Sequence, residues 1–173
     1  MRKTVLYIAM SLDGYIAREN GDIDWLEEAE GEGDNGYSEL IENIDTVVMG
    51  RKTYEQVLGF DMEFPYKGMD CYVFSNEKEG RDEYASFMKG SPSSLISKLK
   101  EQPGKDIWLI GGGDLIREFL KEKLVDQFMI AVIPVLLGKG IPLFKQDFPV
   151  HNLKLSNTQI YNEIVMLSYD KKQ

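Results

Sequence analysis

One segment constrains the possible fold of this chain most. In it, an apolar strand runs through three consecutive glycines directly into an amphipathic helix. The segment covers residues 107–120, with the glycines at Gly111, Gly112 and Gly113. Glycine has no Cβ and reaches positive φ without steric cost, so a ligand can approach the backbone closely. The first turn of the following helix offers unpaired N–H groups and the positive end of its dipole. The pattern predicts a phosphate-binding turn that holds a nucleotide cofactor; a tight turn with a purely structural role is the alternative.

Two better-known phosphate motifs do not fit this sequence. A Rossmann fingerprint needs a further glycine three residues after its second one, and Ile116 occupies that place when Gly111 and Gly113 are taken as the first two. A Walker loop needs glycine directly before its lysine, whereas residues 50–53 read Gly-Arg-Lys-Thr. The chain therefore predicts a phosphate-binding turn of a different lineage.

Length, charge and residue usage exclude several classes of function. A chain of 173 residues suffices for one domain with a sizeable core, so we expect a single domain over residues 1–173. Its net charge of −9 argues against a nucleic-acid partner. Because Cys71 and His151 are the only cysteine and histidine, we predict no disulfide and no metal site. No apolar stretch approaches the length of a membrane span, and we expect a soluble cytoplasmic protein.

Apolar runs alternate with helical patterns along most of the chain. Strands are predicted at residues 5–10, 46–49, 71–74, 107–110 and 127–133, and helices at 37–43, 54–58, 93–100 and 114–122. Residues 153–159 and 163–169 alternate around a Tyr-Asn turn, which predicts a terminal antiparallel hairpin. The order predicts an α/β fold with a mostly parallel central sheet, an antiparallel C-terminal strand and helices on both faces.

Three predicted strands end in small or hydrogen-bonding residues. These residues are Gly50, Arg51, Lys52 and Thr53 after the second strand, Ser75 and Asn76 after the third, and the three glycines after the fourth. Since ligands bind at the carboxyl ends of strands in open α/β sheets, we expect one shared site. Arg51 and Lys52 can pair with phosphate oxygens, and Thr53 can donate a hydroxyl hydrogen bond. A solvated turn is the alternative for Arg51 and Lys52 taken alone.

Five segments of the chain resemble known proteins. Residues 10–17 (Met-Ser-Leu-Asp-Gly-Tyr-Ile-Ala), 49–55 (Met-Gly-Arg-Lys-Thr-Tyr-Glu) and 110–113 (Ile-Gly-Gly-Gly) resemble motifs of the dihydrofolate reductase superfamily. Residues 124–126 and 134–144 resemble its branch typified by the C-terminal reductase domain of the riboflavin-biosynthesis protein RibD. The resemblance runs from residue 5 to about 169 and implies a single-domain dihydrofolate-reductase-like fold.

The resemblance implies NADPH as the cofactor and assigns residues to it. Those that match phosphate-contacting turns are Gly50, Arg51, Lys52, Thr53, Ile110, Gly111, Gly112, Gly113, Asp114, Leu115 and Ile116. Among them, Arg51 matches a position near the 2′-phosphate and Thr53 one near the pyrophosphate. Ser75 and Asn76 match the segment near the adenosine ribose. Ala9 and Ile16 match positions that line the nicotinamide site, where a dry wall favours hydride transfer.

The resemblance further implies a reductase of a small heterocyclic substrate, with the 5-amino-6-(5-phosphoribosylamino)uracil reductase of riboflavin biosynthesis as the leading comparison. Dihydrofolate reduction and a non-catalytic NADPH-binding module are the alternatives. Folate reductases carry an acid on the first helix that binds the pterin and assists its protonation, and counting back from Met49 without gaps places this catalytic residue at Asp34. An exposed acidic loop is the alternative for Asp34. Asp13 is a second acid near the sheet end, with a turn or cap role as its alternative. A homodimer, formed through the terminal hairpin, is a family-level expectation.

Overall fold

The secondary structure follows the predicted alternation of strands and helices. The computed structural model describes residues 1–173. In chain order the elements are β1 (Thr4–Ser11), β2 (Tyr15–Ala17), a 3₁₀ helix (Asp24–Glu28), α1 (Tyr37–Glu42), β3 (Ile44–Gly50), α2 (Arg51–Leu58), β4 (Asp70–Phe74), β5 (Gly80–Arg81), β6 (Ser86–Met88), α3 (Pro92–Lys100), β7 (Asp106–Gly111), α4 (Gly113–Lys121), β8 (Gln127–Ile133), β9 (Ile141–Pro142), β10 (Leu153–Tyr161) and β11 (Ile164–Lys171).

One nine-stranded sheet, in the order β10-β11-β8-β1-β7-β3-β4-β6-β5, organises the fold. The six strands from β8 to β6 are parallel to their neighbours. Both edges are antiparallel: β11 and β10 close one side, and β5 closes the other. The strands β2 and β9 form a separate two-stranded sheet. The predicted α/β class, parallel centre and antiparallel C-terminal hairpin are confirmed.

The sheet has an apolar core on each face because side chains alternate along its buried strands. Leu6 and Leu109 pack toward α3 and α4 in one cluster, which includes Phe119 of α4. Val5 and Trp108 point to the other face, where side chains of α1 and α2 cover them. Helices therefore lie on both faces, as the parallel strand order requires. None of them has the length and apolar character needed to cross a bilayer.

Two strand-to-helix transitions are more abrupt than the sequence suggests. The prediction that residues 50–53 form a loop before a helix at 54 is wrong, because α2 begins at Arg51 directly after β3. Likewise only Gly112 separates the end of β7 from the start of α4 at Gly113. Neither transition contains a connecting loop. Gly50 is the N-cap residue of α2, and Gly112 is the N-cap residue of α4. Both helix N-termini therefore lie at the carboxyl edge of the sheet.

The two-stranded sheet fastens a loop over the same edge. Tyr15 pairs with Pro142, and the Leu143 amide donates a hydrogen bond of 2.9 Å to the carbonyl of Gly14. The Leu143 side chain is fully buried in the core beside α4. These contacts fix the position of the chain that follows β9.

Candidate functional site

A groove of about 1320 Å³ runs along the carboxyl edge of the central strands. The predicted cofactor residues that line it are Ala9, Ile16, Gly50, Arg51, Lys52, Thr53, Ser75, Asn76, Ile110, Gly111, Gly112, Gly113, Asp114 and Leu115. They come from β2, from the ends of β1, β3, β4 and β7 and from the first turns of α2 and α4. The structure therefore brings these residues together, as expected for strand ends that share one edge of a parallel sheet.

Two helix N-termini with open backbone N–H groups meet in this groove. Neither α2 nor α4 has a side-chain cap, whereas α3 is capped by the Ser91 hydroxyl, which accepts a hydrogen bond from the Ser93 amide. The two starts are neighbours because β3 and β7 pair, with Met49 opposite Gly111. A Cβ atom on Gly50 would lie only 3.7 Å from the Gly112 nitrogen. The partial positive charges at the N-termini of α2 and α4 therefore act on the same small region of the groove.

The three consecutive glycines meet three different requirements. Gly111 has φ of +134°, a backbone conformation that other residues rarely adopt. Gly112 precedes α4, and a Cβ there would point at the Thr53 hydroxyl, 3.4 Å away. A Cβ on Gly113 would lie 3.1 Å from Cε of Lys145 and 3.3 Å from the carbonyl oxygen of Pro142. Backbone conformation therefore accounts for Gly111, the nearby Thr53 side chain limits the space at Gly112, and close packing against the β9 loop accounts for Gly113.

Basic and hydroxyl side chains lie beside the helix starts. The Arg51 guanidinium donates to Glu55 Oε1 and to Glu77 Oε1, each at 3.2 Å. These contacts use one N–H from each terminal nitrogen, so further donors stay available. The Ser75 hydroxyl oxygen accepts hydrogen bonds from the amides of Glu77 and Lys78, which leaves its hydrogen free to donate. The groove therefore offers donors along its length.

The part of the groove around β1 and β2 has an apolar wall, which adjoins the polar segment of residues 19–22. Its lining side chains are Ile8, Ala9, Ile16, Ala17, Ile23, Leu26 and Ile110. Leu26 follows Trp25, which is 1% exposed and anchors the 3₁₀ helix against Ala9 and Ile133. The groove thus joins a donor-rich part to a dry part, an arrangement that suits a dinucleotide with a charged centre and an aromatic reacting end.

Ile116 does not line the groove, although it belongs to the predicted set. Its side chain is fully buried in the core between α4 and the sheet. Its amide donates to the Gly112 carbonyl at 3.0 Å and closes the first turn of α4. The amphipathic pattern that identified the helix places Ile116 on the core side, so its inclusion among the cofactor contacts was wrong on geometric grounds.

The structure does not bring Asp34 into the groove. Its carboxylate is exposed and accepts hydrogen bonds from the Gly36 amide at 3.1 Å, from the Ser38 amide at 2.9 Å and from the Ser38 hydroxyl. The Ser38 hydrogen bond holds the pKa of Asp34 below its ordinary value. With these contacts Asp34 stabilises the start of α1, and its carboxylate is kept ionised. Because it also lies outside the groove lining, its predicted role as proton donor has no geometric support.

Asp13 instead fastens the loop that follows β8. Its carboxylate accepts hydrogen bonds from the amides of Leu137 at 3.2 Å and Gly138 at 2.8 Å, and from the Ser11 hydroxyl at 2.6 Å. The same Ser11 oxygen accepts from the Tyr15 amide at 2.9 Å. The Ser11 hydrogen bond is the main cause that lowers the pKa of Asp13. Asp13 thus has the turn role that was one of its alternatives, and it joins β1, β2 and the loop.

Sequence reasoning missed two basic residues of the groove, Arg117 and Lys145. Arg117 follows one turn after the glycines on α4, so helical spacing from Gly113 could have indicated it. Lys145 directly follows the segment 134–144 that resembles RibD. That segment carried a family resemblance, but no local pattern placed it next to α4.

Comparison with solved structures defines the class of fold. A dihydrofolate reductase from Enterococcus faecalis, complexed with NADP(H), superposes with a TM-score of 0.69 at 15% identity and covers 99% of this chain and 97% of its own. A putative riboflavin biosynthesis protein from Shewanella sp. PV-4 superposes with a TM-score of 0.90 at 31% identity over 99% of both chains. The fold is dihydrofolate-reductase-like, as the motifs predicted.

Within this fold class the chain belongs to the RibD C-terminal domain family, which matches residues 2–167. The uncharacterized protein YwjB of Bacillus subtilis strain 168 is 47% identical over 169 residues, which are 97% of each chain. The resemblance stated from the sequence is therefore confirmed at the level of the family.

The hydrogen bonds of Asp13 predict a pH-dependent effect on stability. Because the pKa is lowered in the folded chain, the carboxylate stabilises the fold above its unfolded pKa of about 3.9 and loses this contribution as the pH falls through the folded value. In Asp13→Asn the amide NH₂ would face a backbone donor. We expect this variant to be less stable than the wild type at pH 7, by a difference that narrows below about pH 4.

Urea unfolding of both proteins between pH 3 and pH 7 measures this difference. Asp61→Asn, which changes an exposed carboxylate outside the loop, serves as the control. A stability difference for Asp13→Asn that stays constant over the whole range would contradict the assignment.

Proposed function

We propose that this protein is an NADPH-dependent reductase that transfers hydride to a small heterocyclic substrate, similar to the 5-amino-6-(5-phosphoribosylamino)uracil reductase of riboflavin biosynthesis. The observation that carries the proposal is the meeting of two uncapped helix N-termini in one groove at adjacent strand ends. Membership of the RibD C-terminal domain family supports the reductase class. By family resemblance we also propose a cytoplasmic homodimer.

The residues at the helix starts fit the diphosphate of a dinucleotide. Gly50 and Gly112 add no side chains of their own to the space between α2 and α4, where the Thr53 hydroxyl lies close to Gly112. No side chain caps either helix, so first-turn amides of both helices stay available to a ligand in that space. An anion there gains hydrogen bonds and two favourable dipole ends. A chain of net charge −9 can thus hold an acidic cofactor through local partial charges.

Arg51 supplies selectivity for a 2′-phosphate in this proposal. It lies at the first position of α2, beside the segment of Ser75 and Asn76 that the resemblance assigns to the adenosine ribose. Its side chain is held in place by Glu55 and Glu77 and is 29% exposed, so the guanidinium is oriented and still accessible. Arginine binds phosphate through paired N–H groups, which a bare ribose hydroxyl cannot match.

The apolar end of the groove provides the site of reduction. NADPH, when bound, supplies the hydride. Ala9, Ile16 and Ile110 line the wall that keeps water from this end, which favours transfer to the substrate over side reactions. Because Asp13 and Asp34 are both engaged in local hydrogen bonds, we propose that an ordered water delivers the proton.

Two other functions compete with this proposal. Dihydrofolate reduction is favoured by the shared fold. A non-catalytic NADPH-binding module is favoured by the absence of the predicted acid, Asp34, from the groove lining. Steady-state assays that follow NADPH absorbance with pyrimidine, pterin and carbonyl substrates distinguish them. Turnover of the ribosylaminopyrimidine supports the proposal, turnover of dihydrofolate alone supports the first alternative, and cofactor-induced stabilisation without any turnover supports the module.

The arrangement of Arg51 predicts that NADPH stabilises the protein more than NADH at equal concentration. A ligand at one hundred times its Kd adds about 2.7 kcal/mol to the free energy of unfolding, so a difference in affinity appears as a difference in Tm. Arg51→Met should reduce the stabilisation by NADPH to that by NADH. Arg81→Met, which changes an exposed arginine on β5, is the control. Equal shifts of the wild-type Tm by both cofactors would count against the role of Arg51.

The glycine cradle predicts that Gly112→Val prevents NADPH binding while the fold persists. Gly112 has φ of −83°, which other residues adopt, and its Cβ would make an ordinary contact with Thr53. The branched side chain would fill the space between the helix starts. Fluorescence titration with NADPH and circular dichroism measure the two effects. Gly59→Ala, at the far end of α2, should bind normally; unchanged affinity of Gly112→Val would show that the glycines serve only the turn.

A further inference from the structure

Lys145 brings a positive charge to the start of α4 from a distant part of the chain. Its ammonium donates a hydrogen bond to Asp114 Oδ1 at 2.7 Å. The carbon stem of the lysine lies directly on the first residue of α4, because a Cβ on Gly113 would be 3.1 Å from Lys145 Cε. The Lys145 side chain is 29% exposed, whereas that of Asp114 is 77% exposed. The lysine is therefore packed against the groove wall, and its partner projects into solvent.

The backbone holds Lys145 at this place. Leu143, two residues earlier, is fully buried in the core beside α4, and its amide is bonded to Gly14. The preceding strand β9 pairs with β2. The chain is thus anchored two residues before Lys145, and the packing of Cε on Gly113 together with the Asp114 hydrogen bond places the ammonium beside the helix start.

The electrostatics of this position call for an anion. A cation near a helix N-terminus is unfavourable, because the helix dipole and the open N–H groups are positive there. The Asp114 carboxylate partly compensates: its pKa is lowered first by the Lys145 hydrogen bond and then by the charges of Lys145, Arg117 and Lys52. An exposed ion pair of this kind contributes little to folding stability. Stability alone therefore does not account for a lysine directed at the positive end of α4.

We propose that Lys145 is a cofactor-binding residue whose ammonium passes from Asp114 to the diphosphate of the bound dinucleotide. The inference rests on the proposed function and adds a residue to its site. In the protein without cofactor, Asp114 supplies the negative charge that keeps Lys145 in place. The diphosphate carries more negative charge than the carboxylate and also accepts hydrogen bonds from the amides of α2 and α4. It therefore replaces Asp114 as the partner of Lys145.

The inference separates the roles of two basic residues. NADPH and NADH share the diphosphate, so Lys145 should contribute equally to the binding of both. Arg51, near the 2′-phosphate, should contribute to NADPH alone. Asp114 competes with the cofactor for Lys145 and repels its phosphates, so its carboxylate should weaken the binding of both cofactors.

Titrations that measure the Kd of NADPH and of NADH for four variants test this inference. Lys145→Met should raise both Kd values by about 10- to 100-fold, the range expected when a hydrogen bond to a charged group is lost. Asp114→Asn should lower both by about 3- to 10-fold, because it removes a competing charge. Arg51→Met should raise the Kd of NADPH only. Lys98→Met, which changes an exposed lysine on α3, is the matched control and should change neither value.

Several outcomes would overturn the role of Lys145 while the proposed function stands. In each, the wild type binds both cofactors. Either Lys145→Met leaves both Kd values unchanged, or Lys145→Met weakens the binding of NADPH alone, or Asp114→Asn weakens the binding of the cofactors. Circular dichroism of each variant checks the fold, and Asp114→Asn tests the same contact with the lysine left in place. If the wild type binds neither cofactor, the proposed function fails and the inference fails with it.

Discussion

The close approach of two strand ends that lack side chains is the constraint on which the groove depends. β3 and β7 are paired neighbours, and each leads into a helix with no loop between. A Cβ atom on Gly50 would lie in van der Waals contact with the Gly112 nitrogen, at 3.7 Å. A bulky side chain at either position would stand between the helix starts and cover their amides. The open space between the helix starts and the access to their amides therefore have one cause, the absence of Cβ atoms where two helix dipoles converge.

Much of this architecture could be predicted because the central strands are buried on both faces. Such strands are continuous apolar runs, and residues 5–10, 107–110 and 127–133 fall inside β1, β7 and β8. The short strands β2 and β9 could not be predicted in the same way. With three and two residues, they show no periodicity, and they form only because the tertiary fold brings them together. Sequence patterns identify elements that are stable through their own burial, and they miss elements that another element stabilises.

The errors at the site have a similar origin. The start of α2 was placed late because Gly-Arg-Lys-Thr has no capping side chain and no apolar spacing, the two local signals of a helix start. The groove explains the missing cap, since a side chain that satisfied those amides would compete with an anion. Asp34 was reached by counting along the chain through a segment that contains glycines. Gly36 adopts φ of 79° there, and the resulting turn directs the carboxylate to Ser38. Counting preserves sequence order but carries no information about such a turn.

Two of the basic side chains in the groove form ion pairs with carboxylates of the protein. These pairs affect how a protein of negative net charge could bind an acidic ligand. Arg51 contacts Glu55 and Glu77, and Lys145 contacts Asp114. Such pairs keep the cations ordered, so a ligand meets donors that have already lost part of their conformational freedom. They also set a threshold, because an incoming anion must compete with a carboxylate for the same ammonium or guanidinium. A singly charged anion gains little from that exchange. Under the proposed function, a diphosphate that also accepts hydrogen bonds from the amides of two helices gains more, so selectivity for it would follow from the competition itself.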